Sequence, residues 1–304
     1  MTYSTIAADL EAGRAILLDG ATGTELQRRG ADMEPTAWCG AANVEHARTL
    51  TDIHLDYIQA GSRVVTANTF ATSRMVLKRA GLGDKFAEIN KVAVDAAMRA
   101  RDESGQDIAV AGSLSHMVPR PDLHGPPDPS EVYDAYHELA YFLAKAGCDL
   151  LLLEMMFRPE RIAPALDAAD ESGLPTWCGF SARRAEDDSV ISFAFDDDIP
   201  FGEITPMIDG RNIRAAGVMH SESAVTGDAL AILRKTFEGP MTAYPDSGHM
   251  KMPDWQFEEI IDPTDLVEFA HSWRQQGVQV FGGCCGLGPD HIAALQNMMQ
   301  EADA

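Results

Sequence analysis

The sequence has few basic residues and no hydrophobic stretch long enough to cross a membrane. It contains 24 Lys and Arg against 47 Asp and Glu in 304 residues, which gives a formal net charge of −23. Such a deficit of positive charge disfavours a protein that binds nucleic acid through its phosphates. No window approaches 18 consecutive apolar residues, and residues 1–13 lack the basic and apolar regions of a secretory signal. We therefore expect a cytoplasmic protein whose partners are neither nucleic acids nor membranes.

Cysteine is also scarce, which excludes a fold held together by disulfides. The five cysteines are Cys39, Cys148, Cys178, Cys284 and Cys285. An odd and sparse set in a chain of this length indicates free thiols or metal ligands. With 45% hydrophobic and 23% charged residues, the chain can bury a full core without covalent cross-links.

Short apolar runs, bounded by turn residues and separated by helical patterns, recur along the whole chain. The eight runs are Ala15–Asp19, Arg63–Asn68, Asp107–Ser113, Asp149–Glu154, Pro175–Ser181, Ala215–His220, Met241–Pro245 and Val278–Gly282. Nearly continuous apolar strands that alternate with helices are typical of a parallel sheet covered on both sides. Eight such units in about 300 residues predict an α/β fold, a single (β/α)8 TIM barrel that forms one domain over residues 1–304.

In such a barrel the active site lies where the strands end, so the residues at the strand ends are candidates for chemistry. Polar inserts follow the third, fifth and seventh runs, at residues 115–130, 183–200 and 246–263. The GGCCG segment at residues 282–286 places Cys284 and Cys285 in a flexible turn just after the eighth run. Two thiolates with His220, which ends the sixth run, would make a Cys2His site for Zn²⁺. Incidental thiols and a hydrogen-bonded loop histidine are the alternative at this point.

Five segments together resemble the homocysteine S-methyltransferase family, which includes betaine-, S-methylmethionine- and cobalamin-dependent enzymes that form methionine. They are LLDGATGTELQRRG (residues 17–30), TANTF (66–70), LLLLE (150–154), AYPDSG (243–248) and GGCCGLGPDHI (282–292). The matches occur in order along nearly the whole chain. The resemblance implies the same barrel and a zinc-dependent transfer of a methyl group to the thiolate of homocysteine.

The resemblance also implies roles for individual residues. Cys284 and Cys285 correspond to metal ligands of the family, and Glu154 to the acid that holds the amino group of homocysteine. The turn at Asp19 and Gly20 corresponds to the one near the carboxylate of the amino acid. We therefore expect Asp19 and Glu154 to be catalytic and, with Gly20 and Asn68, to bind the substrate.

One position departs from the pattern of the family. The third thiolate normally closes a Gly-Val-Asn-Cys-like segment, whereas residues 217–220 read Gly-Val-Met-His, so His220 replaces the cysteine. A neutral imidazole donates less charge to zinc than a thiolate does, so the bound substrate thiol would ionise more readily and be a weaker nucleophile. Homocysteine, another thiol acceptor, and a non-catalytic binding module all remain open at this stage.

The sequence does not identify the methyl donor. Trp38 matches the betaine enzymes, but Ala71 and Met155 stand where those enzymes place aromatic residues, and residues 112–116 (GSLSH) lack the GPYGA-like segment expected of S-methylmethionine enzymes. This leaves a methyl group carried by a corrinoid on a separate protein, or a donor that the sequence does not identify. The docking surface would come from residues in two of the inserts, namely His116, Met117, His124, His249, Met250, Met252 and Trp255.

Overall fold

Eight parallel strands form the centre of the computed structural model, which describes residues 3–118, 125–251 and 256–303. The strands are β1 (Ile16–Leu17), β2 (Val64–Ala67), β3 (Ala109–Ser115), β4 (Leu150–Met156), β5 (Thr176–Phe180), β8 (Ile213–Glu222), β9 (Met241–Asp246) and β12 (Val278–Phe281). Hydrogen bonds join them in the order β1-β12-β9-β8-β5-β4-β3-β2, and a parallel bridge from Leu18 to Val64 links the first strand to the last. Each strand overlaps one of the eight predicted runs, and the predicted (β/α)8 barrel is confirmed.

Helices alternate with these strands and cover the outside of the barrel. The described residues form α1 (Tyr3–Glu11), α2 (Thr22–Arg28), α3 (Ala47–Gln59), α4 (Arg74–Arg79), α5 (Phe86–Ser104), α6 (Pro129–Ala146), α7 (Pro159–Ser172), α8 (Phe201–Ile204), α9 (Ser223–Leu233), α10 (Pro263–Gln275) and α11 (Pro289–Asp303). Leu50, Ile53 and Tyr57 recur at helical spacing on α3 and are fully buried. Within the described ranges, every helix is too short or too polar to cross a bilayer.

Helix α1 precedes the first strand and packs against the inward-facing side chains of the barrel. Its Ile6 and Leu10 belong to the same buried cluster as Leu18, Leu150 and Val280. The indole N–H of Trp177 donates to the hydroxyl of Tyr3 at 2.9 Å. This packing covers the end of the barrel opposite to the one at which the strands finish.

Two antiparallel hairpins follow barrel strands at the C-terminal end. The first pairs β6 (Ala182–Arg184) with β7 (Val190–Ser192) after β5, and the second pairs β10 (His249–Lys251) with β11 (Gln256–Glu258) after β9. They lie in two of the three predicted inserts. His249 and Met250 are on β10, whereas His124, Met252 and Trp255 of the predicted docking surface lie outside the described residues.

Four barrel strands continue past the residues where the sequence predicts their ends: β3 to Ser115, β9 to Asp246, and β4 and β8, which do so through an irregularity. Strand β4 runs to Met156 rather than Glu154, and β8 runs to Glu222 rather than His220. The register shifts between Leu153 and Met156 and again between Met219 and Glu222, and both Met155 and His220 have positive φ angles of 55° and 43°. These predicted ends were wrong because a local irregularity of the bulge type interrupts each ladder, which then resumes. Such irregularities redirect side chains next to functional sites.

Candidate active site

A cavity of about 610 Å³ opens at the C-terminal end of the barrel. Its walls include the acids Asp19 and Glu154, the metal candidates Cys284 and Cys285, and His220. These residues come from β1, β4, β8 and the turn after β12, so groups far apart in sequence meet in one space. The structure therefore brings together the residues that the sequence singled out at separate strand ends.

His220, Cys284 and Cys285 present three possible metal ligands to one point. The Sγ of Cys284 lies 3.5 Å from Nδ1 of His220 and 4.0 Å from Sγ of Cys285, and the three ligand atoms all lie within 4.8 Å of one another. Tetrahedral zinc bonds of about 2.3 Å to sulfur and about 2.0 Å to nitrogen would place two sulfurs about 3.8 Å apart and a sulfur about 3.5 Å from a nitrogen. The donor set and its spacing fit Zn²⁺, with a fourth position left for a substrate.

Glycine makes the turn that carries the two thiols possible. A Cβ on Gly282 would lie 2.9 Å from the carbonyl oxygen of Asp19, and one on Gly286 would lie 2.2 Å from that of Ser247. Gly286 also has φ +83°, a conformation that other residues rarely adopt. The guanidinium of Arg28 donates to the Gly286 carbonyl at 3.0 Å, so helix α2 helps to fix the turn.

The metal candidates lie in an electrostatically coupled group. Burial alone would lower the pKa of His220, but the carboxylate of Asp246 and then Cys284 outweigh it and raise the pKa to about 9. Asp246 Oδ2 lies 3.8 Å from His220 Nδ1. The neighbouring Cys285 thiol, followed by burial, raises the pKa of Cys284 well above its ordinary value. In the metal-free chain these donors hold protons, which metal binding would displace.

Asp19 and Glu154 are two buried carboxyl groups at the base of the cavity. The backbone N–H and the hydroxyl of Thr66 donate to Asp19 at 2.6 and 2.8 Å, and the hydroxyl of Ser113 donates to Glu154. Burial raises the pKa of each carboxyl to about 7, and the nearby Asp19 adds to the rise at Glu154. Neither acid forms an ion pair with another described residue, so a cationic group of a ligand would be favoured beside them.

Gly20 and Asn68, the other predicted substrate-binding residues, also line the cavity. A Cβ on Gly20 would lie 2.4 Å from the carbonyl oxygen of Leu287, so only glycine fits there. The amide of Asn68 donates to the carbonyl of Cys39 and to Oδ1 of Asn43, and its oxygen accepts from the Cys39 thiol. The side chain of Asn68 thus fixes the loop after Trp38, and its predicted contact with the substrate stays a prediction.

Aromatic rings form a wall that the sequence reasoning missed. The rings that line the cavity are Trp38, Phe70, Phe157, Phe193, Phe195 and Phe257. Phe193 contacts the His220 ring edge to face, with centroids 5.1 Å apart, and also contacts Phe157 and Phe195 at 6.0 and 5.0 Å. Two of these rings come from the Phe-Ala-Phe segment after β7. The alternating spacing of its two phenylalanines was the signal in the sequence that could have predicted this part of the wall. Rings from this insert therefore line the same cavity as Trp38, the one ring of the wall that the resemblance to the betaine enzymes had identified.

Comparison with known proteins identifies the family of the chain. The sequence model of the homocysteine S-methyltransferase family matches residues 16–299. The selenocysteine methyltransferase of Astragalus bisulcatus is 24% identical over 97% of this chain and 95% of its own length. The homocysteine S-methyltransferase of Escherichia coli (strain K12) is 27% identical over 92% and 94%, and betaine-homocysteine S-methyltransferase 1 of Rattus norvegicus is 25% identical over 94% and 72%.

Solved structures show the same fold. The metallated form of the homocysteine methyltransferase MmuM from Escherichia coli superimposes with a TM-score of 0.78 at 23% identity, covering 95% of this chain and 98% of that one. The family match extends over nearly the whole barrel, including every strand that contributes to the cavity. The chain belongs to the homocysteine S-methyltransferase family and is an S-methyltransferase.

Proposed function

We propose that the protein transfers a methyl group to the thiol of homocysteine and so forms methionine, with Zn²⁺ held by His220, Cys284 and Cys285. One observation carries the proposal. Three possible metal-ligand atoms lie within 4.8 Å of one another in the same cavity as two buried acids that have no cationic partner among the described residues. A thiol and an ammonium group on one small molecule match these two features.

Each group of this chain has a defined task in that reaction. Bound zinc would lower the pKa of the substrate thiol, so that the thiol reacts as a thiolate near neutral pH. Glu154 holds the ammonium group, and the turn at Asp19 and Gly20 lies near the carboxylate, so together they orient the amino acid. The aromatic wall keeps water from the reacting centre. Because His220 contributes no negative charge, the substrate thiolate is less basic than beside three cysteines, and it needs an activated methyl donor.

The aromatic wall favours a methyl donor that carries positive charge, such as a sulfonium or a quaternary ammonium compound. Cations bind the faces of aromatic rings, and their attraction grows when water is excluded. Phe157, Phe193 and Phe195 form a connected row that begins at the His220 ring. A methyl-corrinoid presented by a separate protein, the donor left by the sequence, is the alternative that the same assays test.

Zinc content and methyl transfer are the decisive measurements. We expect about one zinc per chain in the wild type and a loss of zinc in the Cys284→Ser/Cys285→Ser variant. The matched control is Cys148→Ala/Cys178→Ala, which removes two buried cysteines away from the cavity. Equal zinc in all three proteins would contradict the metal site. Transfer to homocysteine is then compared with transfer to cysteine and selenocysteine, using sulfonium, betaine and methyl-corrinoid donors. If no combination of acceptor and donor gives methyl transfer, a binding module is favoured.

The role of His220 is tested by two replacements. His220→Cys restores a third thiolate, so we expect it to keep zinc and to accept less activated donors. His220→Ala leaves two protein ligands and should lower the zinc content. Full zinc and full activity in His220→Ala would mean that the third ligand lies elsewhere, with Asp246 as the next candidate.

A further inference from the structure

Arg161 is a positively charged residue in the cavity wall that has no carboxylate partner among the described residues. Its Nη1 donates to the carbonyl oxygen of His116 at 3.4 Å, which leaves most of its donors unused. By contrast, the neighbouring Arg158 forms an ion pair with Asp196. In a chain with about twice as many acids as bases, an unpaired guanidinium beside a cavity indicates a site for an anion from outside the protein.

His116 lies next to Arg161 and has unused hydrogen-bonding groups. The residue is 2% exposed, and neither ring nitrogen has a hydrogen-bond partner within the described part of the chain. Its ring stacks on Phe157 with centroids 3.8 Å apart and planes at 22°. Burial, with the charges of Arg161 and Arg158, keeps the pKa of His116 well below its ordinary value, so the ring is neutral and offers one N–H. A buried donor without a partner lowers the stability of the protein, and a ligand that accepts from it would offset that loss.

These two residues occupy a different part of the cavity from the metal candidates. The His116 ring contacts Phe157, Phe157 contacts Phe193, and Phe193 contacts His220. The row of rings thus has the metal candidates at one end and the pair Arg161 and His116 at the other. The acids Asp19 and Glu154 carry the opposite charge to Arg161. One cavity therefore offers a site for a cation beside the acids and a separate site for an anion at the end of the rings.

We propose that Arg161 and His116 bind the carboxylate of the methyl donor, which is therefore a zwitterion with its methyl-bearing cation over the aromatic row. This inference rests on the proposed function, because it assumes that a donor shares the cavity with the acceptor. The guanidinium supplies the counter-charge, and the N–H of His116 supplies one directed hydrogen bond. The two residues then set donor specificity, since a donor without a carboxylate would leave both groups unpaired.

The test compares S-methylmethionine with its carboxamide, which keeps the sulfonium and removes the negative charge. In the zinc-loaded wild type we expect the KM of the acid to be at least tenfold lower than that of the amide. Arg161→Gln should raise the KM of the acid about 10- to 100-fold, the usual effect of losing a charged hydrogen bond, and leave kcat and the KM of homocysteine unchanged. His116→Phe keeps the ring stack and should cause a smaller rise. Arg158→Gln is the matched control and should leave kcat and the KM of the acid unchanged.

Direct binding separates this proposal from the proposed function. Calorimetric titration of the zinc-loaded protein with the acid and with the amide does not require turnover. If neither homocysteine nor any other acceptor is methylated, the proposed function fails. The anion site would still be supported if the acid binds more tightly than the amide and if Arg161→Gln abolishes this preference. Equal binding of acid and amide, or no binding of either to the wild type, would overturn it. A rise in the KM of homocysteine in Arg161→Gln would assign the guanidinium to the acceptor and overturn it as well.

Discussion

The polar side chains that contact helix α1 and those that line the cavity differ in how they are hydrogen-bonded. At the N-terminal end the indole of Trp177 is bonded to Tyr3, and the amide of Gln279 donates to the Leu10 carbonyl at 2.8 Å. At the C-terminal end, Oδ1 of Asp246 and the hydroxyl of Tyr244 have no hydrogen-bond partner within the described residues. Both of these unpartnered residues line the cavity.

This difference shows which end is built for stability and which for binding. A buried polar group without a partner costs about 1–3 kcal/mol, so a chain retains several in one cavity only at some expense to its stability. A ligand that supplies the missing partners recovers that free energy on binding. Changes at the N-terminal end should therefore lower the free energy of unfolding, whereas changes at the C-terminal end should affect binding and catalysis.

The largest expected effect comes from Glu154→Gln at the C-terminal end. The amide has the same size and can still accept from Ser113, but it cannot balance an ammonium group. We expect homocysteine binding to weaken by about 2–5 kcal/mol, which calorimetry with homocysteine measures. Burial raises the pKa of this carboxyl to about 7, so its buried charge lowers the free energy of unfolding once the pH rises above the pKa of a free glutamate. Glu154→Gln should therefore not lower the free energy of unfolding at pH 8. Unchanged homocysteine binding would rule out this role.

The opposite result is expected at the N-terminal end for Ile6→Ala. Ile6 is fully buried in the cluster inside the barrel, so the replacement leaves a cavity beneath the strands. We expect the free energy of unfolding to fall by about 2–4 kcal/mol, as measured by urea titration. Zinc content and the KM of homocysteine should stay at the wild-type values in the folded fraction. A loss of zinc without a loss of stability would contradict the division between the two ends.

A buried histidine outside the cavity extends the comparison, because a ligand in the cavity cannot supply the hydrogen-bond partners that its ring lacks. His54 on α3 is fully buried with neither ring nitrogen bonded, and burial lowers its pKa to about 4. Below the unfolded pKa of about 6.5 only the unfolded chain takes up the proton, so stability is lost as pH falls from about 6.5 to 4. The loss should reach about 3 kcal/mol and be absent in His54→Phe. Urea titrations at pH 7.5, 5 and 4, with the exposed His271→Phe as control, measure it, and equal pH dependence of wild type and His54→Phe would refute the assignment.

The fold and the clustering of the strand-end residues could be predicted because both follow from periodicity. Apolar runs at regular spacing determine the strands, and the topology of a parallel barrel brings their C-terminal ends together. Asp19, Glu154, His220 and the two adjacent cysteines could thus be placed in one cavity without knowledge of any contact. The structure confirms that placement, whereas their catalytic and metal-binding roles remain proposals.

The irregular parts of the chain could not be predicted in the same way. The shifts at Met155 and His220 occur beside a contact between β4 and β8 that periodicity does not show, in which the backbone N–H of Met155 donates to the sulfur of Met219 at 3.0 Å. The aromatic wall depends on how the insert after β5 folds back, since the chain must return from β7 before Phe193 can reach His220. The resemblance to the betaine enzymes indicated only that Ala71 and Met155 stand where those enzymes have aromatic residues. Other elements of the fold supply the rings instead.

The smallest expected effect compares two tyrosines that contact the same barrel interior. Tyr3→Phe leaves the indole N–H of the fully buried Trp177 without its acceptor, and we expect the free energy of unfolding to fall by about 1–2 kcal/mol. Tyr244→Phe removes a hydroxyl that has no described partner and that lies 2.1 Å from where a Cβ on Gly179 would be, so the interior there is tightly filled. Removing it should leave stability unchanged within about 0.5 kcal/mol or raise it, because an unpartnered group no longer has to be buried. Urea titration of both variants beside the wild type measures the free energies of unfolding. A larger loss of this free energy in Tyr244→Phe than in Tyr3→Phe would mean that the hydroxyl of Tyr244 is as well bonded as that of Tyr3.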